Sequence, residues 1–154
     1  MGKFITSVHD HLILTARAML TNDDRRIAQV QGKPFPPPIP IRLVIDTGSG
    51  RSTLIPSVVE QLNLNPRGLA RVETGLGSGK SNLFAIRLEF PDTSLSAFPE
   101  LLVARLALPA SLHAFHGVIG RDVLSRWEYF RYEGRRHRLI IRDRPNPLLR
   151  WLTG

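Results

Sequence analysis

Residues Leu43-Val44-Ile45-Asp46-Thr47-Gly48-Ser49 constrain this chain more than any other stretch. A short apolar run reads as a buried strand, and here it delivers one carboxylate directly into a tight turn. Asp46 therefore sits where water is scarce and its proton affinity can be tuned. Gly48 permits a backbone angle or close approach that a side chain would block. The small hydroxyls of Thr47 and Ser49 can hydrogen-bond near the carboxylate and pin the turn. Taken alone, Asp-Thr-Gly also suits an ordinary β-turn after a strand.

A second segment narrows the reading. Gly117-Val118-Ile119-Gly120-Arg121-Asp122-Val123-Leu124 reads as a short buried strand, a glycine turn and one turn of helix. In this order the two segments resemble the retropepsin-like aspartic proteases, the single-lobe family of retroviral proteases and their bacterial relatives. In that family an Asp-Thr/Ser-Gly-Ala/Ser turn is followed, most of a domain later, by two apolar residues, Gly, often Arg-Asp or Arg-Asn, and a short helix. The resemblance covers residues 40–143 and is specific at its two motifs. It implies an all-β fold, a closed retropepsin-like barrel with one or two short helices and a β-hairpin flap. It also implies an aspartic endopeptidase of the bacterial type.

The resemblance assigns roles residue by residue. Asp46 is the expected catalytic acid, with Thr47, Gly48 and Ser49 supporting its loop. Thr47 would lock two such loops together, and Gly48 would bring its backbone to the substrate. Aspartic proteolysis needs two carboxylates sharing one proton, and this chain has a single Asp-Thr-Gly. An active enzyme would therefore be a homodimer with Asp46 from each chain meeting across a two-fold axis. Gly75, Gly77, Ser78 and Gly79 fall where a glycine-rich flap tip is expected to close over a peptide or protein substrate. Gly120, Arg121 and Asp122 form the second motif. In retroviral members the Arg of that motif pairs with an Asp four residues after the catalytic one; here that position is Gly50. Arg121 must find another acceptor, a backbone carbonyl or the partner's copy of Asp122. The alternative function, from another class, is a catalytically silent retropepsin-fold module for peptide binding or dimerisation. A retained Asp in the turn argues against it, because binding alone has no need of an acid there.

Composition limits the competing chemistries. The chain has 154 residues, 42% of them hydrophobic, which suits one domain with a hydrophobic core. No cysteine is present, so disulfides, thiolate metal sites and a cysteine nucleophile are excluded. There is no Gly-x-Ser-x-Gly elbow. His9/His11 and His113/His116 lack the acidic companions of a metal-binding pattern and read as surface or loop histidines. No metal or organic cofactor is expected. Gly79-Lys80-Ser81 resembles the end of a phosphate loop, but the spacing would require Gly at position 74, where Thr74 stands.

The formal net charge is +8, concentrated towards the C-terminus, where residues 117–154 carry 9 basic and 4 acidic residues. Every one of those bases is Arg. Without interleaved stacking aromatics this reads as a solvated hairpin face and tail rather than a nucleic-acid interface. No apolar stretch is long enough to span a bilayer, and the N-terminal residues lack a clean apolar core and cleavage site, so a soluble cytoplasmic protein is expected.

Along the chain, residues 9–20, the turn signal Thr21-Asn22-Asp23-Asp24 and Arg25–Gln31 read as a β-hairpin, with a helix over 11–20 as its competitor. The proline-rich 34–40 segment reads as an extended connection. Arg42–Asp46 is the core strand, and Pro56–Leu62 a short helix with Pro in its first turn. Strands are expected over 70–74, 82–90 and 100–108, with a last hairpin at 127–132 and 137–142. A single domain over 1–143 is followed by an Arg- and Pro-containing tail, 144–154.

Overall fold

The structure is a computed structural model and describes residues 2–7, 11–74 and 77–143. Its elements in order are β1 (Lys3–Ser7), β2 (Ile13–Met19), α1 (Asn22–Val30), β3 (Ile39–Ile45), β4 (Thr53–Leu54), α2 (Pro56–Gln61), β5 (Leu69–Thr74), β6 (Gly77–Glu89), β7 (Phe98–Arg105), β8 (Gly117–Ile119), α3 (Arg121–Leu124), β9 (Trp127–Glu133) and β10 (Arg138–Asp143). Strands run β2-β3-β8-β4-β7-β6, and β6 pairs back onto β2, which closes a six-stranded barrel. The expected all-β barrel is therefore present. No helix among the described residues is long and apolar enough to cross a membrane.

Alternation explains how the barrel fills. In β2, Leu14, Ala16 and Ala18 are buried while Thr15 and Arg17 face out. Leu43 and Ile45 of β3, Ile86 and Leu88 of β6, Leu101 and Val103 of β7 and Ile119 of β8 join them in one core, capped by Val58 and Leu62 at helix α2. Each such large aliphatic side chain contributes roughly 1.5–3 kcal/mol on burial. At the closing seam Arg17 and Arg87 share Glu89, at 3.4 and 2.9 Å. Strand β5 stands outside the closed ring, paired only with β6 as a hairpin.

The three-stranded antiparallel sheet β1-β10-β9 sends Leu139 and Ile141 into the same core. Here four of the C-terminal arginines meet carboxylates. Arg131, Arg136 and Arg138 converge on Glu133, the closest at 2.6 Å, and Arg142 lies 3.8 Å from Glu128. Arg138 leads them in holding the Glu133 carboxyl below the usual carboxylate range.

Asp143 closes this sheet onto the loop before β7. It is 5% exposed. Its carboxylate accepts the Gly2 N–H at 2.5 Å and the Ser96 N–H at 2.7 Å. Burial pushes this carboxyl's pKa up, but its hydrogen bonds to Ser96 and Gly2 outweigh that, and it is held below the ordinary range. A lowered carboxyl stabilises the fold above its unfolded pKa, and that contribution is lost as pH falls through the folded value. Asp143→Asn should cost about 1–3 kcal/mol at neutral pH, since one N–H loses its acceptor. The variant should also lose stability less steeply than the parent below about pH 4. Parallel acid-unfolding curves for the two proteins would contradict this role.

Two expectations need correction. Arg25–Gln31 is not the second strand of a hairpin but part of α1. The Thr21-Asn22-Asp23-Asp24 signal is a helix N-cap: Thr21 Oγ1 accepts the Asp24 N–H at 3.1 Å, and Asp23 and Asp24 lie in the first turn, where the helix dipole favours them. The glycine-rich stretch is mostly strand, because β6 already begins at Gly77 and Gly79 pairs with Val72. Strands β1 and β4 were not expected. The tail 144–154 and Gly75 lie outside the described residues.

Candidate active site

The barrel builds this site by threading β8 between β3 and β4. It runs parallel to β3, pairing Val44 with Val118 and Ile45 with Ile119, and antiparallel to β4. The turn 46–52 that joins β3 to β4 must therefore pass over the end of β8, where Gly120-Arg121-Asp122 starts α3. The two sequence motifs meet there.

Asp46 is half-buried at the end of β3. Its own N–H donates to the Ile119 carbonyl at 2.9 Å, which extends the β3–β8 pairing by one residue. Its Oδ1 accepts the Gly48 N–H at 2.8 Å. A Cβ on Gly48 would lie 3.1 Å from that same oxygen, so the glycine lets the backbone close on the carboxylate. Among the described residues no hydrogen bond is donated to Oδ2, which leaves that oxygen open for chemistry. Thr47 and Gly48 are exposed beside it.

Below the turn lies a set of polar contacts that fixes its shape. Ser49 is fully buried, and its hydroxyl donates to the Arg51 carbonyl at 2.7 Å. The Arg121 N–H donates to the Ser49 carbonyl at 2.8 Å, and the Arg121 guanidinium to the Thr47 carbonyl at 2.9 Å. The acceptor that replaces the missing acid at Gly50 is thus a backbone carbonyl. Asp122 accepts the Ser52 N–H at 3.0 Å and the Ser52 hydroxyl at 2.7 Å. The same hydroxyl accepts the Gly120 N–H at 3.0 Å. All of these bonds except the one within the turn, from Ser49 to Arg51, tie the second motif to the first turn, and Ser52 is the residue that the sequence reading missed. It lies six residues past Asp46, beyond the recognisable motif, and only the threading of β8 brings it to Asp122.

The β5–β6 hairpin approaches this turn through β5. A cavity of about 270 Å³ is lined by Gly48, Gly50 and Arg51 of the turn, Arg121, and Arg71 and Glu73 of β5. Ser78 and Gly79 do not line it. They border a second cavity, about 460 Å³, with Val72 and the Leu106–Pro109 stretch. Val72 alternates with Arg71 and Glu73 along β5, so within one chain Ser78 and Gly79 and the turn residues Gly48 and Gly50 border different spaces. Among the described residues no group of three or more His, Cys, Asp or Glu side chains could hold a metal ion.

No protein-family model matches the sequence, and no curated protein matches it. Among solved structures, a retropepsin-like aspartic protease from Rickettsia conorii superimposes with a TM-score of 0.55 at 15% identity, over 91% of this chain and 90% of that one. Its likeness spans nearly the whole of both chains. The fold of this protein is retropepsin-like.

Proposed function

We propose that this protein is an aspartic endopeptidase, active as a homodimer in which Asp46 of each chain flanks the scissile bond. One observation carries the reading: the second motif's hydrogen bonds hold the turn so that Asp46 is half-buried with an open carboxylate oxygen. A turn that served only to connect two strands would need neither the acid nor so many bonds beneath it. In the proposed dimer the two carboxylates share one proton, because like charges at such a separation cannot both ionise. The ionised one takes a proton from water as it attacks the peptide carbonyl. The protonated one donates to the carbonyl oxygen. Thr47, exposed at the tip of the turn, is suited to lock the two turns across the axis. The β5–β6 hairpin is the proposed flap.

Incubating a diverse peptide pool with the protein from about pH 4 to 7 tests the reading. Cleavage is expected, with specific activity that falls as the protein is diluted through its dimer dissociation range. Concentration-independent activity would remove the shared site. No cleavage at any pH by a sample shown to be dimeric would overturn catalysis and leave a peptide-binding or dimerisation module.

A further inference from the structure

The cavity at the Asp46 turn, lined by Gly48 and Gly50 but not by Asp46 itself, has a charge that the proteolytic reading does not use. Three guanidinium groups line it, from Arg51, Arg71 and Arg121, against one carboxylate, Glu73. Arg121 is engaged with the Thr47 carbonyl. The other two hold little. Arg51 reaches the Leu102 carbonyl at a long 3.4 Å, and Arg71 meets Glu73 at 3.4 Å with both side chains more than 70% exposed. An exposed ion pair of that kind contributes little and yields readily to a competing carboxylate. Alternation along β5 puts Arg71 on the strand face that looks at the turn, while Val72 packs with Leu83 and Ala104 on the other. Each guanidinium offers several N–H donors in a planar fork that matches a carboxylate.

We propose that this cleft selects acidic peptides: Arg51 and Arg71 bind an Asp or Glu side chain within a few residues of the scissile bond. The inference rests on the proteolytic reading only in taking this cleft as the substrate site. If two chains pair about Asp46, the cleft is repeated by symmetry, and the preference applies on both sides of the bond.

Binding to the Asp46→Asn protein measures the preference without turnover. The probes are two fluorescent decapeptides, identical except that Glu residues flanking the centre in one are Gln in the other. At about 50 mM salt the Glu peptide should bind about tenfold more tightly, and the difference should shrink at about 300 mM. Arg51→Gln/Arg71→Gln should reduce the ratio to about twofold or less while the Gln peptide binds as before. That second result shows that the fold is intact. Arg26→Gln/Arg135→Gln, which removes as much charge away from the cleft, should keep the ratio. Equal binding of the two peptides, binding of neither, a preference that survives in the cleft variant, or one lost equally in the remote variant would each overturn the inference. Failure of the two ideas can be told apart. Acid-selective binding with no cleavage by the parent protein condemns catalysis alone, and cleavage without acid preference condemns this inference alone.

Discussion

Asp46→Asn is expected to lower peptide cleavage by roughly a thousandfold or more, with the dimer retained. Its unfolding temperature should stay within about 2 °C of the parent's. The separation of the two effects follows from how the carboxylate is held. The only hydrogen bond that a described residue donates to it comes from Gly48 N–H to Oδ1, and an asparagine carbonyl oxygen accepts that bond equally well. Among the described residues no guanidinium or buried donor depends on the charge, so removing it orphans nothing beneath the turn. Chemistry is different. An amide can neither take the proton from water nor return one to the substrate carbonyl. In a dimer both copies are changed at once, so no second acid remains to act in reduced form. Side-by-side cleavage assays and thermal melts of the two proteins check both halves. Retained cleavage would remove Asp46 from the reaction. Lost cleavage together with a large fall in unfolding temperature would show that the residue acts through the fold.

The parts of this molecule legible in its sequence are those whose signal is local. The run Leu43–Ile45 ends in the Asp46 turn, and the run Val118–Ile119 ends in Gly120; each carries its own strand and its own stop. Pro56 announced α2 by standing at its first turn. What was not legible depends on residues far apart in the chain. Strand β1 exists because β10 pairs with it from the opposite end of the described chain, and five residues of mixed polarity give no sign of that. Strand β4 is two residues long and is defined by its neighbours β7 and β8. The α1 error had a nearer cause. Thr21-Asn22-Asp23-Asp24 is as good an N-cap as it is a turn, and no residue of α1 is buried to mark a helix face. Ile27 is 52% and Val30 84% exposed, so burial gave no help. At the site, the hairpin residues that share a cavity with the turn are Arg71 and Glu73, which carry no motif of their own. Period-two spacing in β5 was enough to put Arg71 and Glu73 on one face, and the pairing of β5 with β6 was expected.

Gly117→Ala should destabilise the protein by about 3 kcal/mol or more, a fall in unfolding temperature of roughly 6–12 °C. Gly120→Ala should follow with a smaller loss. The reason is space, not backbone angle. Gly120 has φ −101° and ψ −175°, extended values that any residue adopts. A Cβ at Gly117, however, would lie 2.0 Å from the Thr53 carbonyl oxygen, and one at Gly120 2.8 Å from backbone atoms of both Ser49 and Arg51. These are main-chain atoms of β4 and of the turn that passes over the end of β8, so no rotamer change relieves the overlap. Gly79→Ala on the hairpin is the control, because a Cβ there meets nothing within 4 Å and the substitution should be neutral or slightly stabilising. The order of unfolding temperatures should therefore be Gly79→Ala, Gly120→Ala, Gly117→Ala, from highest to lowest. At Gly120 the loss of cleavage should exceed the loss of stability, since the displaced atoms belong to the turn that holds Asp46. A Gly117→Ala protein that melts with the parent would mean that β8 does not lie as closely against β4 as the threading requires. Full cleavage by Gly120→Ala would mean that the shape of the 46–52 turn does not govern the acid it carries.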